Sequence, residues 1–233
     1  MNSLIRKQFR YSYNGAVFWI IGINVAIFAA INLLGGELLF FLYKVMPMRP
    51  FRITQDGWIW TFITYMFMHG DFWHILFNML ALFIFGTHVE RQMGSKEFVL
   101  YYLVTGALAG VFSFVVYYFI SINSGNTWEV LSRLPALHPY RYGIALIGAS
   151  GALFAVELAY AVFFPDSVIY IWGILPLRAP IMVLGFVALE MFFTFTGGRG
   201  NTAHVTHLAG FLFGWIYFLA RYGINPLRRL FRR

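Results

Sequence analysis

The chain has 233 residues, 60% hydrophobic, 21% aromatic and only 11% charged, with a mean hydropathy of +0.70; soluble domains carry about 45–50% apolar and about 25% charged residues, so a water-soluble globule is excluded. There is no cysteine, which excludes disulfides, a thiol nucleophile and cysteine-held zinc or iron–sulfur centres. The net charge of +8 is dispersed between apolar runs, a pattern that suits anionic lipid and membrane topology rather than nucleic acid.

A spanning helix needs about 20 mostly apolar residues, and six such segments follow in chain order. Met1 to Arg10 and the apolar run after it have the layout of a secretory signal. The run is too long for one and lacks a clean small-residue cleavage site, so Ala16 to Leu34 is read as an uncleaved first helix. Gly35 to Asp71 is an outer loop whose stretch Leu38 to Tyr43 is too apolar to float in water, and it is expected to lie partly in the membrane interface. Phe72 to Val89 and Phe98 to Ile120 are the second and third helices, separated from the fourth, Gly143 to Phe164, by the polar loop Ser121 to Tyr142. Pro176 and Pro180 split the next run. Ser167 to Ala179 is therefore placed at the interface, and the fifth helix starts at Pro180, a favourable first-turn position, and ends at Thr196. Thr202 to Ala220 is the sixth. Without a repeat, low-complexity tract or soluble domain, residues 1–233 read as one all-α membrane domain, a six-helix bundle with residues 1–15 and the basic tail 221–233 in the cytoplasm. With the N-terminus inside, 11 of the 17 Lys and Arg residues fall on the inner side and 6 on the outer. The positive-inside rule thus puts both termini in the cytoplasm.

Polar side chains inside spanning helices are costly and mark function. Here they are His69, His74, Asn78 and His88 on the second helix and its approach, Ser150 and Glu157 on the fourth, Glu190 on the fifth, and His204, Thr206 and His207 on the sixth. At 1.5 Å per residue, Ser150 lies about 11 Å, Asn78 about 9 Å and His207 about 8 Å along helices that all start on the outer side. A serine and a histidine at one level suggest a nucleophile and its general base. Gly148 and Gly151 strip bulk from around the hydroxyl. His74 and Asn78, spaced i, i+4, can donate to a developing oxyanion or tie helices together. Glu157 sits about 10 Å beyond Ser150. Glu190 lies near the outer end of its own helix and could approach the site, but no motif places it there, so a Ser150–His207 dyad is the arrangement expected. Gly210 and Gly214, a small-xxx-small pair, favour close approach of the sixth helix to the fourth.

These motifs resemble the rhomboid family of intramembrane serine proteases over nearly the whole chain. The second-helix signature reads His69-Gly-Asp-Phe-Trp-His74-Ile-Leu-Phe-Asn78 and continues to Gly86 and the pair Glu90-Arg91. The nucleophile motif reads Gly148-Ala149-Ser150-Gly151, and the sixth-helix motif His207-Leu-Ala-Gly210-Phe-Leu-Phe-Gly214. The resemblance implies that Ser150 attacks the scissile carbonyl and His207 takes its proton. It also implies that His74, Asn78 and the Ser150 N–H hold the oxyanion beside Gly148. Two positions depart from the family pattern. Thr61, after Trp60, stands where an arginine that anchors the outer loop is common. Phe154 stands where many bacterial members have a tyrosine packed on the catalytic histidine.

The resemblance further implies that the substrates are transmembrane segments of other proteins, cut near the outer face, in a bacterial-type inner membrane and without cofactor or metal. Membrane lipid is the other expected partner. A catalytically inactive relative that binds membrane proteins would share the helices, but such relatives have usually lost the serine or histidine kept here. A zinc hydrolase would show a pattern such as His-Glu-x-x-His, which is absent from the sequence. A transporter would show an internal repeat or a charge-lined path.

Overall fold

The first apolar run folds as helix α1, Ala16–Leu34. Helices are the local solution in lipid because they satisfy every backbone N–H and C=O within the segment. The computed structural model describes residues 8–34, 36–123, 145–171, 173–196 and 201–230. The first amides of α1 are met by a distant side chain. The buried Glu90 carboxylate accepts from the N–H groups of Ala16 and Val17 at 2.6 and 3.0 Å, and also from Ser95 Oγ. An anion at the positive end of a helix is favourable, so the Glu90 of the Glu-Arg pair ties α1 to the end of the second span.

The segment between α1 and the second span contains α2, Gly36–Val45, α3, Pro50–Asp56, and the single turn α4, Thr61–Thr64, followed by a 3-10 turn at Tyr65–Phe67. Phe40 and Phe41 of α2 are exposed. The loop is anchored without an arginine at position 61. Trp60 Nε1 donates to the Val45 carbonyl at 3.0 Å, Thr64 Oγ1 to Met46 at 2.8 Å, and Arg49 Nη1 to Tyr43 at 2.7 Å.

Helix α5, Phe72–Met93, includes a π-helical turn at Leu82–Gly86, and Gly94, at φ +84°, breaks the chain before α6, Ser95–Asn123. The loop expected at Ser121 to Tyr142 lies, from residue 124 onward, outside the described residues. Then come α7, Ser150–Phe163, and the antiparallel hairpin β1, Val168–Ile171, with β2, Leu175–Arg178, in the segment expected at the interface. Last are α8, Ala179–Thr196, α9, Asn201–Tyr217, with a π-helical continuation at Phe218–Tyr222, and α10, Pro226–Leu230.

Five of these helices are long and apolar enough to cross a bilayer. Helix α7 is the exception and corrects the expected fourth span from Gly143 to Phe164. Its 14 residues cover about 21 Å, less than the hydrocarbon thickness of about 30 Å. Residues 145–149 are not helical because their backbone is paired elsewhere. Leu146 and Met48 exchange two hydrogen bonds of 2.8 and 3.0 Å, and the Gly148 N–H donates to Tyr65 O at 2.9 Å. Gly148 also adopts φ +117°, a conformation closed to a helix and to most side chains. Irregular backbone at membrane depth is tolerated where protein buries it, and Leu146 and Ala149 are buried.

Ten of the 14 residues of α7 are buried, so it is the central helix, packed between α6 and α9. Around it the other spans turn apolar side chains outward, among them Trp19, Leu33 and Phe195, as lipid contact demands. At the far end of the bundle α6 and α9 are joined by Glu97, which accepts from Tyr217 OH at 2.5 Å and from Arg221 Nε and Nη2 at 2.6 and 2.8 Å. Nearer Ser150, α9 touches α7 through glycine. A methyl group on Gly210 would lie 2.1 Å from the Gly151 carbonyl oxygen. One on Gly214 would lie 2.8 Å from the Tyr101 hydroxyl and 3.1 Å from Ala155 Cβ. Backbone cannot yield as a side chain can. Gly210→Ala is expected to push the two helices apart and lower stability by about 1–3 kcal/mol or more. Thermal melting in detergent would test this, and a melting point equal to the parent's would contradict it.

Candidate active site

Ser150 is the first residue of α7, following the tight segment that Gly148 makes possible. Its level in the bundle is therefore set by the non-helical lead-in, not by seven residues of preceding helix. The N-cap position is Ala149, whose side chain offers no cap hydrogen bond. The opening N–H groups of a helix have no intrahelical acceptor, so the amides beside the hydroxyl are left uncapped by a side chain. His207 reaches Ser150 from α9, its Nε2 2.8 Å from Ser150 Oγ, across 57 residues of sequence. Phe154, one turn after Ser150, stacks on the His207 ring with centroids 4.2 Å apart and planes at 19°.

Behind His207 stands Glu190 of α8, whose Oε1 lies 3.0 Å from His207 Nδ1. Its other oxygen, Oε2, is bound to His204 Nδ1. Ionised, a carboxylate only accepts, so it suits imidazoles that donate from Nδ1, the tautomer that turns the His207 Nε2 lone pair to the serine. In the sequence, the depth of Glu190 allows it to approach the site, but no motif pairs it with His207. The available signal was chemical, an acidic residue in an apolar helix. The ligand atoms of Glu190, His204 and His207 lie within 4.8 Å of one another, close enough for one metal ion. In the structure the two carboxylate oxygens each face one imidazole Nδ1. Glu157 is also buried, with Oε2 lacking a hydrogen-bond partner among the described residues.

On the opposite side, Asp71 caps α5 by accepting from the His74 N–H at 2.9 Å, a standard N-cap role. A methyl group on Gly148 would lie 2.7 Å from His74 Nε2 and 3.7 Å from Ser150 Oγ, so His74 borders the same small space as the serine. The Gly70 N–H approaches His74 Nδ1 at 3.4 Å, a long contact in which Nδ1 accepts and Nε2 keeps the proton. Asn78 Nδ2 donates back to the His74 carbonyl at 2.7 Å, and its buried Oδ1 has no partner among the described residues. His88 lies further down α5, with Nδ1 2.8 Å from Ile84 O. Thr206 Oγ1 is 2.7 Å from Ser113 Oγ, while a methyl group on Gly151 would lie 3.0 Å from Thr206 Cγ2.

His69 precedes α5, 2% exposed and ring-to-ring with His74 at 4.9 Å. Both of its nitrogens lack a partner among the described residues. Burial pushes its imidazole down to about 3, helped by His74 and opposed by Asp71. The unfolded chain then binds the extra proton between pH 6.5 and about 3. Stability from neutral His69 is thus complete above pH 6.5 and lost as pH falls through this window, by up to about 1.4 kcal/mol per unit. Melting temperatures measured from pH 7 to 4 should fall, and less steeply in His69→Asn. Equal slopes in the two proteins would contradict this.

The fold and the site together define a multi-pass helical membrane protein with a serine–histidine pair enclosed by its helices. Residues 56–223 match the family model described as the Rhomboid domain, and the chain belongs to the rhomboid family. It is 32% identical to RHOMBOID-like protein 12, mitochondrial, of Arabidopsis thaliana, over 70% of this chain and 48% of that one. It is 28% identical to Rhomboid protein 1, mitochondrial, of Saccharomyces cerevisiae, over 86% and 51%. With Rhomboid protease GlpG of Haemophilus influenzae it shares 30% identity over 72% and 74%. The chain spans about half the length of the organellar relatives it matches.

Proposed function

We propose that the chain is an intramembrane serine endopeptidase that cleaves transmembrane segments of other membrane proteins near the outer face. The observation that carries this is the 2.8 Å approach of His207 Nε2 to Ser150 Oγ, made inside an apolar bundle where an idle polar pair is costly. Ser150 Oγ attacks the scissile carbonyl as its proton passes to His207 Nε2, which then delivers it to the departing amine. Water, deprotonated by His207, next attacks the acyl-enzyme carbonyl and frees Ser150. The Ser150 N–H and His74 Nε2–H supply donors for the oxyanion, Asn78 steadies the turn of α5 that carries His74, and Phe154 holds the His207 ring flat.

A helical substrate has its carbonyls hydrogen-bonded, so segments that unwind readily at small or helix-breaking residues are the favoured class. The single domain is proposed to sit in a bacterial-type inner membrane, with both termini cytoplasmic on the charge asymmetry and the site opening outward. The relatives named as mitochondrial or chloroplastic are organelle proteins. A fluorophosphonate applied to the detergent-solubilised protein, with the adduct mapped by mass spectrometry, tests the nucleophile. Label on the Ser150 peptide is expected, and its absence would overturn the proposal.

A further inference from the structure

Glu190 is an ionisable side chain on a membrane-spanning helix, 8% exposed, and the two-residue mechanism leaves it without a task. A charge at that depth persists only when it is paired and hydrogen-bonded. Both of its oxygens are used, and both partners are imidazole Nδ1 atoms of one helix. Nδ1 of His207 lies on the far side of the ring from the nitrogen that faces Ser150. Resting on Ser150 as nucleophile, we infer that Glu190 is the positioning residue of a Ser150–His207–Glu190 triad, and that the family's dyad is extended in this chain by a carboxylate from the fifth span.

Two physical tasks follow. First, the carboxylate accepts the His207 Nδ1–H and so holds the tautomer whose Nε2 can take the serine proton, the role a triad carboxylate plays in soluble proteases. Second, it balances the imidazolium formed when that proton arrives, from 3.0 Å away at Nδ1. In the reaction the proton moves from Ser150 Oγ to His207 Nε2 and stays there until it leaves with the amine. Glu190 remains ionised throughout, and no bond to it forms or breaks. His204 occupies the second oxygen and stacks on Phe193 at 5.2 Å, which limits rotation of the carboxylate. The other titratable groups of this neighbourhood are His74 on α5 and Glu157 on α7. Neither is hydrogen-bonded to the His207 ring among the described residues.

Glu190→Gln keeps the size of the side chain and removes its charge and one of its two acceptors. Cleavage of a model transmembrane substrate should fall about 10²-fold in kcat with KM within about twofold, because the loss lies in orientation and charge balance rather than in substrate binding. The rate of fluorophosphonate labelling at Ser150 should fall in parallel. Nitrogen-15 NMR of histidine-labelled protein should report His207 as the Nδ1–H tautomer in the parent and as a mixture in the variant, a signal that a merely structural role would not move. Glu190→Asp, which keeps the charge on a shorter arm, should recover part of the rate. Parent-like kcat and labelling in a folded Glu190→Gln protein would overturn the triad while leaving Ser150 labelled, whereas an unlabelled parent would instead overturn the nucleophile. Should Glu190→Gln fail to fold, an Nε2–H tautomer of His207 in the parent would be enough to reject the proposal. Activity that disappears on chelation and returns with Zn2+ would also reject it, by assigning the three side chains to a metal.

Discussion

Ser150→Ala protein is expected to cleave no transmembrane substrate above background, a loss of about 10⁶-fold, because the nucleophile of a covalent mechanism has no understudy. The fold should survive. Ser150 begins a helix whose N-cap position is filled by Ala149 without a side-chain hydrogen bond, and the burial that holds α7 comes from residues such as Ala152, Val156 and Ala159. What disappears is one hydroxyl 2.8 Å from His207. Alanine is also a good helix former, so the melting temperature should stay near the parent value. The measurement is turnover of a reconstituted model substrate, with circular dichroism melting as control. Undiminished turnover in the variant would remove the serine mechanism altogether.

His207→Ala should be nearly as damaging, since nucleophile and base act as a unit and losing either costs about as much as losing both. Fluorophosphonate labelling of Ser150 should be suppressed with it. His204, one turn earlier on α9, is the instructive contrast. It shares the Glu190 carboxylate, but its hydrogen bond is to that carboxylate, whereas His207 Nε2 stands beside the hydroxyl. His204→Ala should therefore lower turnover by only a few-fold. Side-by-side kinetics of the two folded variants decide the matter, and the reverse ranking would move the general base one turn towards the start of α9.

Much of this molecule is legible in its amino-acid sequence. The apolar runs predict α1 to the residue and place five long spans within a few residues of where they stand. Family membership follows from motifs that keep fixed local spacing. The one span that departs is the fourth. Hydropathy reads Leu146 and Ala149 as membrane helix because it measures only the burial of side chains. The backbone of that segment is instead held by Met48 and Tyr65, far away in the chain.

Sequence alone determined the bilayer setting, the number of apolar segments and the cluster of polar residues that makes a site credible. The physical reason is that lipid forces each spanning segment to satisfy its own backbone, which makes local patterns decisive. Tertiary structure alone decided where α7 begins and what Glu190 touches. A β-bridge between Met48 and Leu146, or a carboxylate on α8 meeting imidazoles on α9, has no fixed spacing along the chain. Helix packing sets such contacts, here through the close approach that Gly210 permits against Gly151, and that distance exists only once the helices have met.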